Sequence, residues 1–259
     1  MRFIGRKFFQ SYEKNYLCKN YKPILRINLT GHSDIGTIKR IQGEVRTPVV
    51  SGPEGMLRLI REYRLIPFFA NAVPGYSVEE HTPPEAWFTE DNLGPWDWKI
   101  ECVRSGDIAY GKFLCGGKAA FATVDVFREL ANWRRSLPKY RLTADQRKVL
   151  DYMKGQGSVS VPEVRRLMGV GKAAADALLG KLQMQTRIVT GDIERIYRGP
   201  DLRYSGWQRS SFCDPEALFD DSLTSSLTPA QSLEFLKETV RRACGDVPDK
   251  MLMKILGSL

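Results

Sequence analysis

Residues 140–200 contain several helix start signals in close succession, and few folds have helices that follow one another so closely. Thr143 with Gln146, and Ser160 with Glu163, match the capping box, in which a Ser or Thr and a Glu or Gln three residues later satisfy the first free amides of a helix. A glycine follows each apolar run, as expected at a helix C-terminus. Two short helices are therefore predicted in close succession.

A third helix and a change of period follow these two. Residues 172–182 are rich in alanine, a strong helix former, with leucines spaced to face a core. From there the spacing of the apolar residues changes from helical to every second position. Residues 183–189 and 193–197 are therefore predicted to be strands that flank a turn at 190–192. Three helices followed by a hairpin is the order of a winged helix, whose third helix enters the major groove of DNA while the hairpin lies against phosphates.

Positive charge is concentrated on this part of the chain. Residues 128–209 contain 17 basic and 8 acidic side chains, whereas residues 51–127 and 210–259 are both net acidic. A polyanion would meet the basic stretch, so double-stranded DNA is the predicted partner. Because few polar side chains on the third helix can read base edges, we expect recognition of DNA shape. The predicted DNA contacts are Arg165, Arg166, Lys172, Lys181, Arg187, Arg195 and Arg198.

A smaller unit is predicted before the basic stretch. An amphipathic helix begins at Pro53, residues 98–102 alternate like a half-buried strand, and a glycine turn at 115–117 joins two more strands. A helix from Thr123 completes it. Three nearby tryptophans either stack on exposed bases or pack a core, and the acidic charge of the segment favours core packing. They are Trp87, Trp96 and Trp98.

The chain is therefore predicted to have four segments. These are a basic N-terminal segment at 1–52, an α+β unit at 53–137, a winged-helix module at 138–200 and a C-terminal helical extension at 201–259. The predicted fold class is α+β: a winged-helix module, with helix-turn-helix and β-hairpin, beside a second small winged-helix-like unit. The N-terminal segment is either a flexible leader or an arm that binds nucleic acid.

Composition bears on the class of protein. No run of about 18 apolar residues is present, and lysines and arginines interrupt the first 30 residues, so we expect neither a membrane span nor a signal peptide and predict a cytoplasmic protein. The five cysteines include no CxxC pair, and the two histidines lie far from them. We therefore expect no metal site and no cofactor. The oligomeric state is left open.

The segment Gln183-Met184-Gln185 carries the candidate chemistry. Side chains two apart on a strand share a face, so these amides either together orient a water, a sugar or a flipped base, or have a structural role only. Glutamine is not a general base. Asp192 and Glu194, on the same predicted hairpin, either supply the carboxylate that hydrolysis requires or are turn and surface residues.

Four segments together resemble bacterial proteins called AlkZ-related, which are named after the AlkZ family of winged-helix DNA glycosylases. The resemblance spans about residues 53–219 and lies in residues 69–80, 94–99, 109–113 and 181–186. It implies tandem winged-helix units whose basic concave face holds duplex DNA. The glycosylases excise alkylated or crosslinked purines with a Gln-apolar-Gln motif, which Gln183-Met184-Gln185 matches in residue type. In those enzymes the motif lies near the N-terminus of a longer chain.

Three hypotheses follow. The first is a winged-helix DNA-binding protein that also excises alkylated bases in DNA repair, with Gln183 and Gln185 as catalytic residues and with no metal or cofactor. The second is a non-enzymatic transcriptional regulator or nucleoid-type protein that uses the same helix and hairpin. The third is a module for protein contacts. Whether the chain is an enzyme is left open between them.

Overall fold

The computed structural model describes residues 49–89 and 93–257, so the predicted N-terminal segment lies almost entirely outside the described residues. Within the described ranges the fold is α+β, with nine α-helices and two three-stranded antiparallel sheets. The α+β class predicted from the sequence is confirmed. In the same part of the chain, no helix is long and apolar enough to cross a membrane.

The first sheet has the strand order β1-β3-β2. The helix predicted at Pro53 is present, and so is the glycine hairpin, where Gly116 and Gly117 both have positive φ. The aromatic side chains of this part form a core that includes Phe68 and Phe121. Its elements are α1 (Pro53–Tyr63), β1 (Leu65–Pro67), α2 (Pro95–Arg104), β2 (Ile108–Leu114), β3 (Lys118–Thr123) and α3 (Val124–Ser136).

The strand predicted at residues 98–102 is wrong, because these residues lie in helix α2. One side of α2 packs with α1 through Trp98 and Cys102, and its other side contacts Ile193 through Ile100 and Val103. Because the helix is buried on two sides, six of its ten residues are apolar. The apparent period of two arose because Lys99 and Glu101 alternate with apolar residues between Trp98 and Cys102.

The second sheet has the strand order β4-β6-β5. Both predicted capping boxes are present, at Thr143 with Gln146 and at Ser160 with Glu163. Val149, Val159 and Leu182 belong to a separate core under the three helices. The elements are α4 (Ala144–Gln156), β4 (Ser158–Ser160), α5 (Val161–Met168), α6 (Lys172–Met184), β5 (Val189–Arg198) and β6 (Arg203–Cys213).

The hairpin is present, and residues 193–197 lie in a strand as predicted, but the predicted strand at 183–189 and the predicted turn at 190–192 are wrong. Residues 190–192 lie inside β5, where the register shifts, and the partner strand β6 lies beyond residue 200. The predicted boundary at residue 200 thus falls in the turn between β5 and β6. Gly191 is needed for packing: a Cβ there would come 2.8 Å from the Sγ of Cys213 on β6.

The C-terminal helices complete the first core. Helices α7 (Pro215–Phe219), α8 (Pro229–Cys244) and α9 (Asp249–Leu256) follow β6, and the predicted capping box of Thr228 with Gln231 opens α8. Apolar side chains of α8 and α9 are clustered with those of α3 and β2. The segment predicted as a helical extension therefore begins with a strand and ends in packed core helices.

Candidate nucleic-acid interface

Helix α2 holds the inner face of the β5–β6 hairpin through polar contacts. The guanidinium of Arg195 donates to Asp97, with Nη2 2.6 Å from Oδ2 and Nε 3.1 Å from Oδ1. The hydroxyl of Tyr204 donates to the same carboxylate at 2.8 Å, and the Nε1 of Trp96 donates to the carbonyl of Gly206 at 3.0 Å. Arg195, predicted to contact DNA, is thus engaged within the protein, and we leave it out of the interface.

The electrostatics of Asp97 agree with this geometry. Partial burial alone would raise the pKa of its carboxyl, but the hydrogen bonds from Arg195 and Tyr204 outweigh it and hold the pKa below its ordinary value. In the same contact, the carboxylate of Asp97 raises the pKa of Arg195. Both groups are therefore charged at neutral pH, and the contact is an ion pair.

Arg187 is also poorly placed for DNA. Its Nε is buried and has no hydrogen-bond partner among the described residues. Burial lowers the pKa of its guanidinium, and the nearby charge of Arg135 lowers it further. The side chain lies just after α6, half inside the protein, so we also leave it out of the interface.

Several exposed cations that are free of ion pairs lie in and just before α4–α6, whereas Arg198, also predicted to contact DNA, is exposed at the end of β5 with its guanidinium over the Trp207 ring. Arg165, Arg166, Lys172 and Lys181 are all exposed, as predicted for DNA contacts. Four further cations in and before α4 have the same character, and the sequence reasoning did not single them out. Across residues 49–89 and 93–257, no ion pair involves any of these eight side chains. The α4–α6 cationic surface consists of Arg141, Arg147, Lys148, Lys154, Arg165, Arg166, Lys172 and Lys181.

The exposed side of α6 carries small side chains between two lysines. Ala174 and Ala177 are exposed between Lys172 and Lys181. Small side chains let another surface approach the helix backbone closely, while the two lysines supply charge. This arrangement suits contact with a sugar-phosphate backbone and offers few groups that read base edges.

The two glutamines do not share a strand face, so that prediction is wrong. Gln183 lies in α6, where its Oε1 accepts from the backbone N–H of Lys112 at 2.9 Å. Gln185 caps the same helix, and its Nε2 donates to the Oε1 of Gln146 at 3.2 Å. Both are buried, at 3% and 6% exposure. One amide thus contacts β2 and the other α4, and their catalytic role stays a prediction.

Gln183 also lines a cavity of about 130 Å³ between β2 and α6. Tyr110, Phe212 and Asp176 line it as well. The structure gives Asp176 no hydrogen bond or ion pair to another described residue, and its side chain is half-buried. An acidic residue, a glutamine and two aromatic residues therefore line one small cavity.

The carboxylates considered from the sequence lie elsewhere. Asp192 pairs with Arg104 at 2.8 Å, and Glu194 pairs with Arg209 at 2.7 Å. Both are thus engaged on the surface. Asp176 lies in α6, inside the helix predicted at residues 172–182, but the sequence analysis gave it no role. Its position seven residues before Gln183, which is two helical turns, would have placed the two on one face had α6 been extended to Met184.

The tryptophans of the first unit pack a core. Trp98 is buried, and Trp87 and Trp96 pack against the same cluster. The ammonium of Lys99 lies 3.2 Å from the centroid of the Trp96 ring. The core-packing interpretation of these three residues is confirmed. In the described ranges, no three His, Cys, Asp or Glu side chains are grouped so as to hold a metal ion.

Comparison with known proteins gives a family. A search of curated proteins finds no match. Among solved structures, the chain is similar to the DNA glycosylase AlkZ of Streptomyces sahachiroi, with 11% identity and a TM-score of 0.42, over 82% of this chain and 60% of that one. The sequence profile described as AlkZ related matches residues 50–257, which confirms the resemblance seen in the sequence. This chain belongs to the AlkZ-related family.

Proposed function

We propose that this protein binds duplex DNA through the α4–α6 cationic surface, and that residues from α4 to β6 form a winged-helix module. The element order supports the module: α4, β4, α5, α6, then the β5–β6 hairpin, with β4 paired to β6. The single observation that carries the binding proposal is the set of eight exposed cations without ion pairs on this one part of the fold.

The physical reason is the counterion atmosphere of DNA. Each lysine or arginine that neutralises a phosphate releases a condensed cation, which drives binding at low salt. A cation already paired with a carboxylate within the protein contributes less to the free energy of DNA binding, since its charge is compensated before contact. The helices therefore contribute more to affinity than hairpin residues such as Arg195, which the sequence analysis also predicted to contact DNA.

Fluorescence anisotropy tests the proposal. A labelled duplex is titrated with the protein over about 50 to 200 mM salt, where log affinity falls linearly with log salt. The triple variant Arg165→Ala, Arg166→Ala, Lys172→Ala is expected to bind more weakly, and each lost phosphate contact flattens the slope by about 0.9. The matched control removes three exposed cations, without ion pairs to other described residues, from α1 and α9: Arg58→Ala, Lys250→Ala, Lys254→Ala. Equal losses in both variants, or no binding by the wild type at low salt, would overturn the proposal.

A second candidate function is base excision, favoured by the cavity that Asp176 and Gln183 share. For N7-methylguanine, hydrolysis adds water at C1′, the bond to the base breaks, and its electron pair leaves with the cationic base, which becomes neutral. The proton lost by the water would pass to the carboxylate of Asp176, and the amide of Gln183 would orient the water. The role of Gln185 in this reaction is carried over from the sequence as a prediction.

Alkali-labile strand cleavage tests this candidate. Duplex containing N7-methylguanine, incubated with protein and then heated in alkali, is cut at the lesion if the base has been removed. Asp176→Asn is expected to abolish cutting with DNA binding retained, whereas the exposed control Asp201→Asn keeps it. A Gln183→Ala, Gln185→Ala variant that is folded and cuts normally would exclude the glutamines. No cutting by the wild type, where binding is measured, would favour a non-enzymatic regulator.

A further inference from the structure

The cavity between β2 and α6 has about the volume of one six-membered ring. It measures about 130 Å³, and a protein cavity of about 150 Å³ binds one benzene molecule. A purine has a second, fused ring and exceeds this volume. The cavity therefore has room for a base with one ring but not for a whole base with two.

Gln183 is held in place at the buried end of the cavity. Its Oε1 accepts from the backbone N–H of Lys112 at 2.9 Å, and its Nε2 donates to the carbonyl of Leu179 at 3.3 Å. A Cβ on Gly111 would lie 2.9 Å from the same Oε1, so β2 and α6 are already in close contact there. Because both polar atoms of the amide are engaged, Gln183 is not free to swing aside and enlarge the cavity.

The walls of the cavity include core residues. Leu179 and Phe212 belong to the core under the three helices, and Thr190 is 3% exposed. A close-packed interior resists rearrangement, because a shift of one side chain requires its neighbours to shift as well. A larger ring would therefore meet walls that do not give way.

Asp176 gives the cavity its acidic residue. It is half-buried, two helical turns before Gln183, and it has no hydrogen-bond or ion-pair partner among the described residues. An acidic side chain without a partner of its own attracts a positively charged ligand. Cytosine methylated at N3 is a base of this kind, since it has a single ring that carries a positive charge.

We propose that this cavity selects alkylated pyrimidines, of which 3-methylcytosine is the type, over alkylated purines. The inference rests on the proposed base excision, because the same Asp176 would take the proton of the attacking water. Hydrolysis adds the hydroxyl of the water at C1′ and breaks the bond from C1′ to N1 of the base. The electron pair of that bond stays on the ring, which becomes neutral. The volume of the cavity thus determines the class of base that is excised.

The test compares the release of 3-methylcytosine and of N7-methylguanine, which are both cationic. Each is placed as a single unpaired nucleotide in otherwise identical duplexes, so that neither base is held by a base pair. The released base is quantified by chromatography, relative to its loss without protein. The pyrimidine should be released at least about 10-fold faster, since even one methylene group in a pocket changes rates by this factor.

Two valine variants test the role of the cavity volume. Val161→Ala widens the cavity and should raise the release of N7-methylguanine relative to that of 3-methylcytosine. Val170→Ala is the matched control: this valine is also half-buried against the same core but does not line the cavity, and its loss should leave the ratio unchanged. Circular dichroism shows whether both variants are folded.

Binding without excision gives a second readout. Asp176→Asn, which is expected to bind DNA without releasing a base, should bind the duplex with 3-methylcytosine more tightly than the one with N7-methylguanine in fluorescence anisotropy. If the wild type releases N7-methylguanine as fast as 3-methylcytosine or faster, this inference fails and base excision stands. If it releases neither base, both fail. Equal changes of the ratio in Val161→Ala and Val170→Ala would also overturn the inference.

Discussion

Asp97 on α2 and Arg195 on β5 are joined by a bidentate ion pair, with Nη2 2.6 Å from Oδ2 and Nε 3.1 Å from Oδ1. Tyr204 on β6 adds a third hydrogen bond to the same carboxylate. The pair connects the helix that follows the aromatic loop to both strands of the hairpin. Asp97 therefore helps to hold the hairpin on α2, together with the hydrogen bond from Trp96 to Gly206.

Replacing Asp97 by alanine should destabilise the protein by about 1.5 to 3 kcal/mol, since the half-buried Arg195 loses its partner. Urea unfolding followed by circular dichroism measures this. Asp107→Ala is the matched control: it removes an ion pair to Arg61 whose side chains are about half exposed, and should cost at most about 1 kcal/mol. Equal losses of unfolding free energy in the two variants would show that the Asp97 contact stabilises the fold no more than an exposed ion pair does.

The same ion pair predicts a pH dependence. The folded pKa of Asp97 is lower than its ordinary value of about 3.9, so the unfolded chain binds the proton more readily. The stabilisation is therefore complete above about pH 5 and is lost as the pH falls through the folded pKa. The stability difference between wild type and Asp97→Asn should shrink from pH 7 to about pH 3. A difference that is constant over this range would contradict the assignment.

Arg134 is expected to be the most sensitive cation of the fold. It is fully buried, and its guanidinium donates to the carbonyls of Phe113, Met184 (2.9 Å) and Leu256 (2.6 Å). Burial lowers the pKa of Arg134 to about 10, so it is charged at neutral pH. Arg134→Met leaves three carbonyls without this donor and should cost more than about 3 kcal/mol.

The shape of the guanidinium is tested by Arg134→Lys. A lysine keeps the charge but cannot present a planar fork to three acceptors, so its stability should lie between those of the wild type and Arg134→Met. Thermal unfolding ranks the three proteins. A methionine variant as stable as the wild type would mean that the three carbonyls find water or other donors.

The elements that were predicted correctly depend on local signals. The boxes at Thr143, Ser160 and Thr228 each use residues three apart, and all three open the expected helices. Gly116 and Gly117 likewise turn the chain between β2 and β3 by their own backbone freedom. Such features need no information from the rest of the chain.

The elements that were missed depend on distant partners. Helix α6 continues to Met184 because the guanidinium of Arg134, 50 positions earlier, donates a hydrogen bond to the carbonyl of Met184. In the same turn, the side-chain oxygen of Gln183 accepts from the backbone N–H of Lys112. Strand β5 runs through Gly191 because β6 pairs with it from beyond residue 200. The pattern of apolar residues at 183–192 fits the predicted strand and turn as well as the observed helix end and strand. The positions of the two glutamines could therefore not be predicted from the sequence.

Substitution of Gly191 tests how closely β5 packs against Cys213 of β6. A Cβ at this position would lie 2.8 Å from the Sγ of Cys213, so Gly191→Ala should destabilise the protein by about 1 to 3 kcal/mol. Gly180→Ala is the control: it lies in α6 with nothing within 4 Å of a new Cβ, and alanine favours helices, so it should stabilise by up to about 1 kcal/mol.

Adding Cys213→Ala to Gly191→Ala removes the Sγ that the new methyl group meets, and it should restore part of the lost stability. The double-mutant cycle from urea unfolding then gives a favourable coupling of about 0.5 kcal/mol or more. Restoration would be incomplete, because the Cβ of residue 213 is itself 3.3 Å from the new atom. Strictly additive effects would mean that the new methyl group does not meet the Sγ of Cys213, and the close packing of β5 on β6 at this point would be contradicted.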